Sequence, residues 1–304
     1  MRNFSKELIP LYINASNMTK DILDLIRKYS PSYAAWLEEK ESIIKNDFSF
    51  RNFYLAFSMA SRIEGGGEVF SAELPGYDKD IVSMKEWPVN RLGRIFLISV
   101  LAENDQEKFD TAFQKLFETA ELNELVALYA SLPFLPNPEK YIDRAAEGIR
   151  TNIGPVLEAI AIRNPYPAKH LPDGPWNQLV LKMVFTDKPF YEIVGLDRRA
   201  NEALAVMLIN YAKERWAAGR VVTPELWRPV GRFMRADDVW LLERMLNDDE
   251  PYELEAALLA CHDSQSERLN QVLKAYPDIS EKIKAKTLSW DSLGQAYWES
   301  KNKR

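Results

Sequence analysis

The amino-acid sequence predicts an all-α protein, an irregular α-solenoid or α–α superhelix made of stacked antiparallel helix pairs. Apolar residues recur at steps of three and four along most of the chain, whereas period-two alternation is scarce. The helical segments are short and only a few residues separate them, which is typical of neighbouring antiparallel helices. No fixed repeat length is visible, and the predicted solenoid is therefore irregular.

The helical pattern is clearest in "DQEKFDTAFQKLFETA", where Phe109, Phe113 and Leu116 lie on one apolar stripe, and in "LNELVALYASL". Thr223 followed by Pro224 indicates a helix start, because threonine caps helices and proline suits their first position. Similar patterns predict further helices at roughly 6–14, 19–28, 31–45, 49–62, 138–149, 152–162, 176–185, 198–218, 224–233, 238–247, 251–262, 265–275 and 279–287.

One stretch interrupts the helical pattern, "EGGGEVFSAELPGYDKDIVSMKEWP", which contains three consecutive glycines and two prolines. We interpret residues 64–89 as a hinge or a long loop. The expected organisation is a single all-helical domain over 1–304, with an alternative division into an N-terminal helical region, 1–63, and a helical-repeat region, 90–304.

Composition excludes several classes of protein. The 304 residues carry a net charge of −6, so the chain lacks the basic field of nucleic-acid-binding proteins. Cys261 is the sole cysteine, which excludes an internal disulfide and favours a reducing compartment. No apolar run is long enough for a signal peptide or a spanning helix. We expect a cytoplasmic protein, with a peripheral position at the inner membrane as an alternative.

An arginine in an apolar stripe makes "NYAKERWAAGRVVTPELWRPVGRF" the first candidate site. Helical spacing places Arg215 in the sector of Leu204, Leu208 and Tyr211, where an unpaired charge would be costly. Glu202, Glu225 or an anionic ligand are the expected partners. Two interpretations stay open, namely a structural corner of ion pairs and aromatic rings, and a binding site for an aromatic or anionic metabolite.

The second candidate site is the proline-rich stretch "RNPYPAKHLPDGP", residues 163–175, which four prolines are expected to hold extended. His170 is the strongest acid–base candidate of the chain, with Tyr166 and Asp173 close in sequence. A strap packed across helix ends is the alternative. No metal-ligand spacing, nucleophile motif or cofactor fingerprint occurs, so neither a metal nor a cofactor is expected.

Several rare clusters together resemble the EboA family of bacterial proteins, namely "ALYASLPFLP", "RAAEGIRTNI", "NPYPAKHLPDGPWNQLVLKMVF", "GLDRRANEALAVMLINYAKERWAAGR" and "TPELWRPVGRF". The resemblance covers roughly Glu107–Phe233. No established catalytic residues carry over, and the family segments 164–177, 198–201 and 214–228 are only candidate sites. The ligand-binding candidates are Tyr166, His170, Trp176, Asn177, Arg198, Arg199, Asn201, Tyr211, Glu214, Arg215, Trp216, Glu225, Trp227 and Arg228.

The resemblance implies a protein encoded with a set of partners, among them a prenyltransferase-like membrane protein. That set is associated with moving a metabolite or its precursor across the inner membrane to the periplasm. The missing catalytic signature favours a non-catalytic helical protein that binds or helps traffic a small metabolite to membrane partners. Two alternatives stay open, namely a small-molecule enzyme with its active site around residues 163–175, and a protein–protein adaptor without a ligand.

Overall fold

The computed structural model describes residues 18–247, 251–264 and 266–303, and this part of the chain contains eighteen α-helices and one two-stranded sheet. The mostly helical class is therefore confirmed, while the stacked superhelix stays a prediction. The helix predicted at 6–14 lies outside the described residues. The chain forms two compact units, Met1–Leu171 and Pro172–Arg304, and the division falls inside the proline-rich stretch.

The first unit is organised around one buried helix. That helix, α4, is buried at every position from Leu92 to Ala102, and it packs against α1, α2, α5 and α6. The helices and strands of the first unit are α1 (Met18–Tyr29), α2 (Pro31–Asn46), α3 (Phe50–Met59), β1 (Val69–Pro75), β2 (Ile81–Pro88), α4 (Val89–Asn104), α5 (Gln106–Thr119), α6 (Leu122–Ala130), α7 (Ile142–Arg150), α8 (Gly154–Ala161) and α9 (Tyr166–His170).

The stretch interpreted as a hinge or a long loop, 64–89, contains an antiparallel hairpin, and that interpretation is wrong for β1 and β2. Phe70 and Leu74 of β1 are buried and their neighbours along the strand are more exposed, which is the alternation of a strand with one covered face. A register shift between Phe70 and Ala72 interrupts the pairing. The interrupted register breaks the regular alternation of apolar and polar residues, and the sequence pattern therefore did not reveal the two strands.

The proline-rich stretch is also less extended than expected, because Tyr166–His170 forms the short helix α9. Pro167 lies in its first turn, where the missing N–H group of proline has no helical partner to lose. The prolines therefore start a helix at this point of the chain.

The second unit surrounds α15, whose residues Ala256 to Cys261 are buried and which packs against α13, α14, α16, α17 and α18. Its helices are α10 (Asp173–Phe185), α11 (Leu196–Arg199), α12 (Glu202–Ala217), α13 (Arg228–Gly231), α14 (Val239–Leu246), α15 (Pro251–Asp263), α16 (Glu267–Val272), α17 (Pro277–Lys284) and α18 (Trp290–Lys301).

Two predicted helices of this unit are interrupted. The segment 198–218 breaks before α12, where the Asn201 side chain accepts a hydrogen bond from the Leu204 backbone N–H at 2.9 Å and caps the helix. The segment 224–233 starts with a 3-10 turn, Pro224–Trp227, and continues as α13. Among the described residues, no helix combines the length and the apolar character needed to cross a membrane.

Candidate functional site

A cavity of about 420 Å³ in the second unit is the main candidate site, and we call it the aromatic pocket. Its volume lies in the range of sites that hold small metabolites. Its walls come from the end of α10, the C-terminal half of α12, the loop before Pro224, α15 and α18. Five aromatic side chains line it, namely Phe185, Tyr211, Trp216, Tyr252 and Tyr297.

The rings of the aromatic pocket are supported by other rings. Phe185 meets Tyr211 edge to face, with 4.8 Å between ring centroids. Trp216 stacks on Trp227 at 5.6 Å, and Trp227 is fully buried behind it. Ring pairs with these geometries stabilise one another, so neighbouring rings support the aromatic faces of the wall.

Arg215 brings a positive charge to the aromatic pocket, and it does so without the partner expected from the sequence. Its Nε and Nη2 atoms donate to the backbone oxygen of Val221 at 3.1 and 3.0 Å. The expected pairing with Glu202 or Glu225 is wrong, because Glu202 pairs with Arg235 and Glu225 accepts from other groups. Within the described residues, no carboxylate neutralises the Arg215 guanidinium.

The charged groups of the aromatic pocket balance one another in number. Two are cationic, Arg215 and Lys301, and two are anionic, Asp187 and Glu253. Lys301 and Asp187 form an ion pair with each other. The carboxylate of Glu253 belongs to a residue that is only 6% exposed. The lining therefore carries no formal net charge.

Glu225 and Arg228 hold the wall of the aromatic pocket from outside its lining. Glu225 accepts a hydrogen bond from the Tyr191 backbone N–H at 2.6 Å and another from Trp298 Nε1 on α18. Burial raises the pKa of the Glu225 carboxyl to about 7. The Arg228 guanidinium pairs with Asp197 and with Asp291 of α18, each at 2.6 Å. Both residues thus fix the position of α18.

The remaining candidates of this unit lie outside the lining of the aromatic pocket. Asn177 and Asn201 exchange amide hydrogen bonds of 3.2 and 2.8 Å. Arg199 lies over the ring of the buried Trp176 and pairs with Asp173 at 3.0 Å. The structure gives these side chains structural partners. The other two, Arg198 and Glu214, are exposed.

The histidine candidate belongs to the first unit, where it is tied to the hairpin. His170 Nε2 lies 2.8 Å from Asp78 Oδ2, in the turn between β1 and β2. The buried Tyr166 donates its hydroxyl to the backbone oxygen of Pro138 at 2.6 Å. The cavity beside these groups measures only about 10 Å³, room for about one water molecule. The arrangement joins α9 to the hairpin and leaves no space for a substrate.

Cys261 does not provide a nucleophile, because burial raises the pKa of its thiol to about 12 and keeps it protonated. No group of three or more metal-ligating side chains is placed to bind a metal ion within the described ranges.

Sequence reasoning missed part of the aromatic pocket, above all the contribution of α18. Tyr297, Ser300 and Lys301 lie on this helix, which had not been predicted. A signal was present, because Ser289 is a favoured N-cap residue and precedes the apolar Trp290 and Leu293; in the structure its side chain accepts a hydrogen bond from the Ser292 backbone N–H. Phe185, Tyr252 and Glu253 lie on predicted helices but had not been selected as candidates.

The fold and the aromatic pocket together define a mostly helical protein with a metabolite-sized site. The chain belongs to the EboA family, since the family model described as metabolite traffic protein EboA matches residues 19–231. The match begins well before the segment 107–233 on which the resemblance had been based, and it ends before α15 and α18. Comparisons with curated proteins and with solved structures give no match.

Proposed function

We propose that this protein is a non-catalytic binder that holds a small metabolite, or its precursor, in the aromatic pocket and helps traffic it to membrane partners for export to the periplasm. The observation that carries this proposal is an arginine in the wall of an aromatic cavity of about 420 Å³, for which the described part of the chain supplies no carboxylate partner. Fixed rings offer stacking surfaces, and the guanidinium offers a polar anchor. The family description, metabolite traffic, supports the same role.

The partners that we propose are the proteins encoded in the same gene cluster, including the prenyltransferase-like membrane protein, at the cytoplasmic side of the inner membrane. The support for them is the family membership alone. Co-purification of each cluster protein with this chain, with and without bound metabolite, would test the proposal. If none of them co-purifies in either condition, the proposed transfer of the metabolite to membrane partners is contradicted, even if the protein binds the metabolite.

Phe185→Ala should weaken metabolite binding about tenfold, because it removes a lining ring that meets Tyr211 edge to face. Phe185 is 60% exposed, so the fold should lose no more than about 0.5 kcal/mol of stability. The measurement is the amount of each small molecule that the purified protein retains from an extract of host cells, determined by mass spectrometry after denaturation.

The matched control is Val206→Ala on α12, which truncates an apolar side chain that is 51% exposed and outside the lining. Retention by this variant should equal that of the wild type. Equal retention by the Phe185→Ala variant, or no retained molecule in the wild type, would contradict binding in the aromatic pocket.

A further inference from the structure

A cavity of about 310 Å³ lies between α2 and α3 of the first unit, and we call it the apolar groove. The two helices have different neighbours, since α2 packs against α1 and α4, whereas α3 packs against α5. Their facing sides therefore form the two walls of an open groove. Most of the wall is apolar, with Trp36, Ile43 and Ile44 on α2 and Leu55, Ala56 and Met59 on α3.

The apolar groove leaves apolar surface in contact with water. Leu55 is 56% exposed and Met59 is 37% exposed, although both line the groove. A ligand that covers this surface gains binding free energy from the water that it displaces. Concave sites of this volume with mostly apolar walls are typical of small-molecule binding.

The length of the apolar groove favours a chain-like ligand. Trp36 and Ile44 lie eight residues apart on α2, which is about 12 Å at the rise of an α-helix. An extended hydrocarbon chain of about ten carbon atoms has a similar length, because each bond of about 1.5 Å advances the zigzag chain by slightly less than its own length.

A single cation marks one end of this lining. Among the described residues that line the apolar groove, Lys40 is the one with a formal charge. Its Nζ atom lies 6.0 Å from the centre of the Trp36 ring, one turn back along α2. The ammonium group thus lies toward the Trp36 end, and Ile43 and Ile44 extend the apolar wall in the other direction.

The ammonium group of Lys40 is accessible to a ligand. The Lys40 side chain is 24% exposed, and its carboxylate partner is Glu39 at 2.8 Å. Glu39 lies outside the lining and its side chain is 63% exposed. Ion pairs this open to water are weak, so a carboxylate that also fills the groove can compete with Glu39.

We propose that the apolar groove binds a free medium-chain fatty acid, with its acyl chain along Ile43 and Leu55 and its carboxylate at Lys40. The complementary charge of Lys40 selects an anionic head group, and the apolar walls select an unbranched chain. This site belongs to the first unit and does not depend on the proposed function of the aromatic pocket.

Two probes with the same chain and opposite charge test the head group. Isothermal titration of the full chain at pH 7.5 would compare decanoate with decylammonium, both below the concentrations at which they form micelles. Decanoate should bind at least fivefold more tightly, because Lys40 attracts its carboxylate and repels an ammonium group. Equal or tighter binding of decylammonium would overturn the proposal.

Lys40→Gln should weaken decanoate binding about threefold and reduce the preference over decylammonium. The matched control is Lys45→Gln, which removes a cation from the same helix that is paired with Glu41 and lies outside the lining. The control should bind decanoate within about twofold of the wild type. If both variants lose the same affinity, Lys40 does not contact the carboxylate and the assigned head-group site is wrong.

Leu55→Ala should weaken decanoate binding about fivefold and leave the thermal midpoint close to that of the wild type, because the side chain is largely exposed without a ligand. Leu122→Ala on α6 is the matched control, since Leu122 is 48% exposed and lies outside the lining. Unchanged affinity in the Leu55→Ala variant would overturn binding in the apolar groove.

A second copy of the chain is the competing occupant, and sedimentation of the same proteins detects it. A wild type that binds no decanoate and forms a dimer that Leu55→Ala dissociates would overturn the fatty-acid proposal in favour of self-association. A monomeric wild type that binds no decanoate would overturn it as well. Neither result affects the proposed function, because retention of host metabolites is tested through Phe185 in the aromatic pocket.

Discussion

Gly294→Ala is expected to destabilise the second unit by about 2 kcal/mol. A Cβ atom at this position of α18 would lie 2.5 Å from Glu225 Oε1 and 2.7 Å from the Cβ atom of Tyr191. Glu225 cannot move aside freely, because both its oxygens accept hydrogen bonds. Alanine is favoured over glycine in a helix by about 1 kcal/mol. The expected loss of stability is therefore the cost of overpacking less this gain in helix propensity.

The same substitution should also lower metabolite retention, because α18 carries Tyr297, Ser300 and Lys301 into the aromatic pocket. Urea unfolding followed by tryptophan fluorescence, together with the retention measurement, tests both effects. The control is Gly174→Ala on α10, where a Cβ atom would meet nothing within 4 Å. That variant should be as stable as the wild type or slightly more stable. If the Gly294→Ala variant were as stable as the Gly174→Ala variant, α18 would not be closely packed against Glu225 and Tyr191.

Local regularities of the sequence predicted much of the helical structure. Phe109, Phe113 and Leu116 are buried on one face of α5, as their spacing indicated. Gly219 ends the region of α12 with a φ of +67°, the left-handed conformation expected of a glycine after a helix. These features depend on neighbours within a few residues, and a single sequence contains that information.

The candidate site depends on contacts that local patterns do not encode. Spacing placed Arg215 near an apolar face, but its acceptor is a backbone oxygen in the following loop, which no residue type reveals. Glu225 was selected as a partner for Arg215, whereas one of its two donors, Trp298, is 73 residues away in the chain. The aromatic pocket closes through such long-range pairs, and they could be seen only in the structure.

The second large effect concerns pH. Glu225 should lower the free energy of unfolding by about 3 kcal/mol as the pH rises from about 4.5 to about 7. Burial raises the pKa of this carboxyl from 4.5 to about 7, since the residue is only 1% exposed and the charged form loses its hydration. Between the two pKa values the folded state binds a proton that the unfolded state has released. Stability is therefore highest below the unfolded pKa and is lost as the pH passes the folded pKa.

Glu225→Gln isolates this effect, because glutamine keeps the shape and does not titrate. At pH 5 the variant should be less stable than the wild type by about 1 kcal/mol, since the amide oxygen can replace only one of the two carboxyl acceptors and the NH₂ group, a donor, would face the N–H group of Tyr191 or of Trp298. At pH 8 it should be more stable, because the wild type then carries a buried charge. Other groups with raised pKa values, such as Asp263, remain in both proteins and cancel in the difference. Urea unfolding of both proteins from pH 4.5 to 8 gives the comparison. A stability difference that stays constant over this range would show that Glu225 does not change its ionisation there.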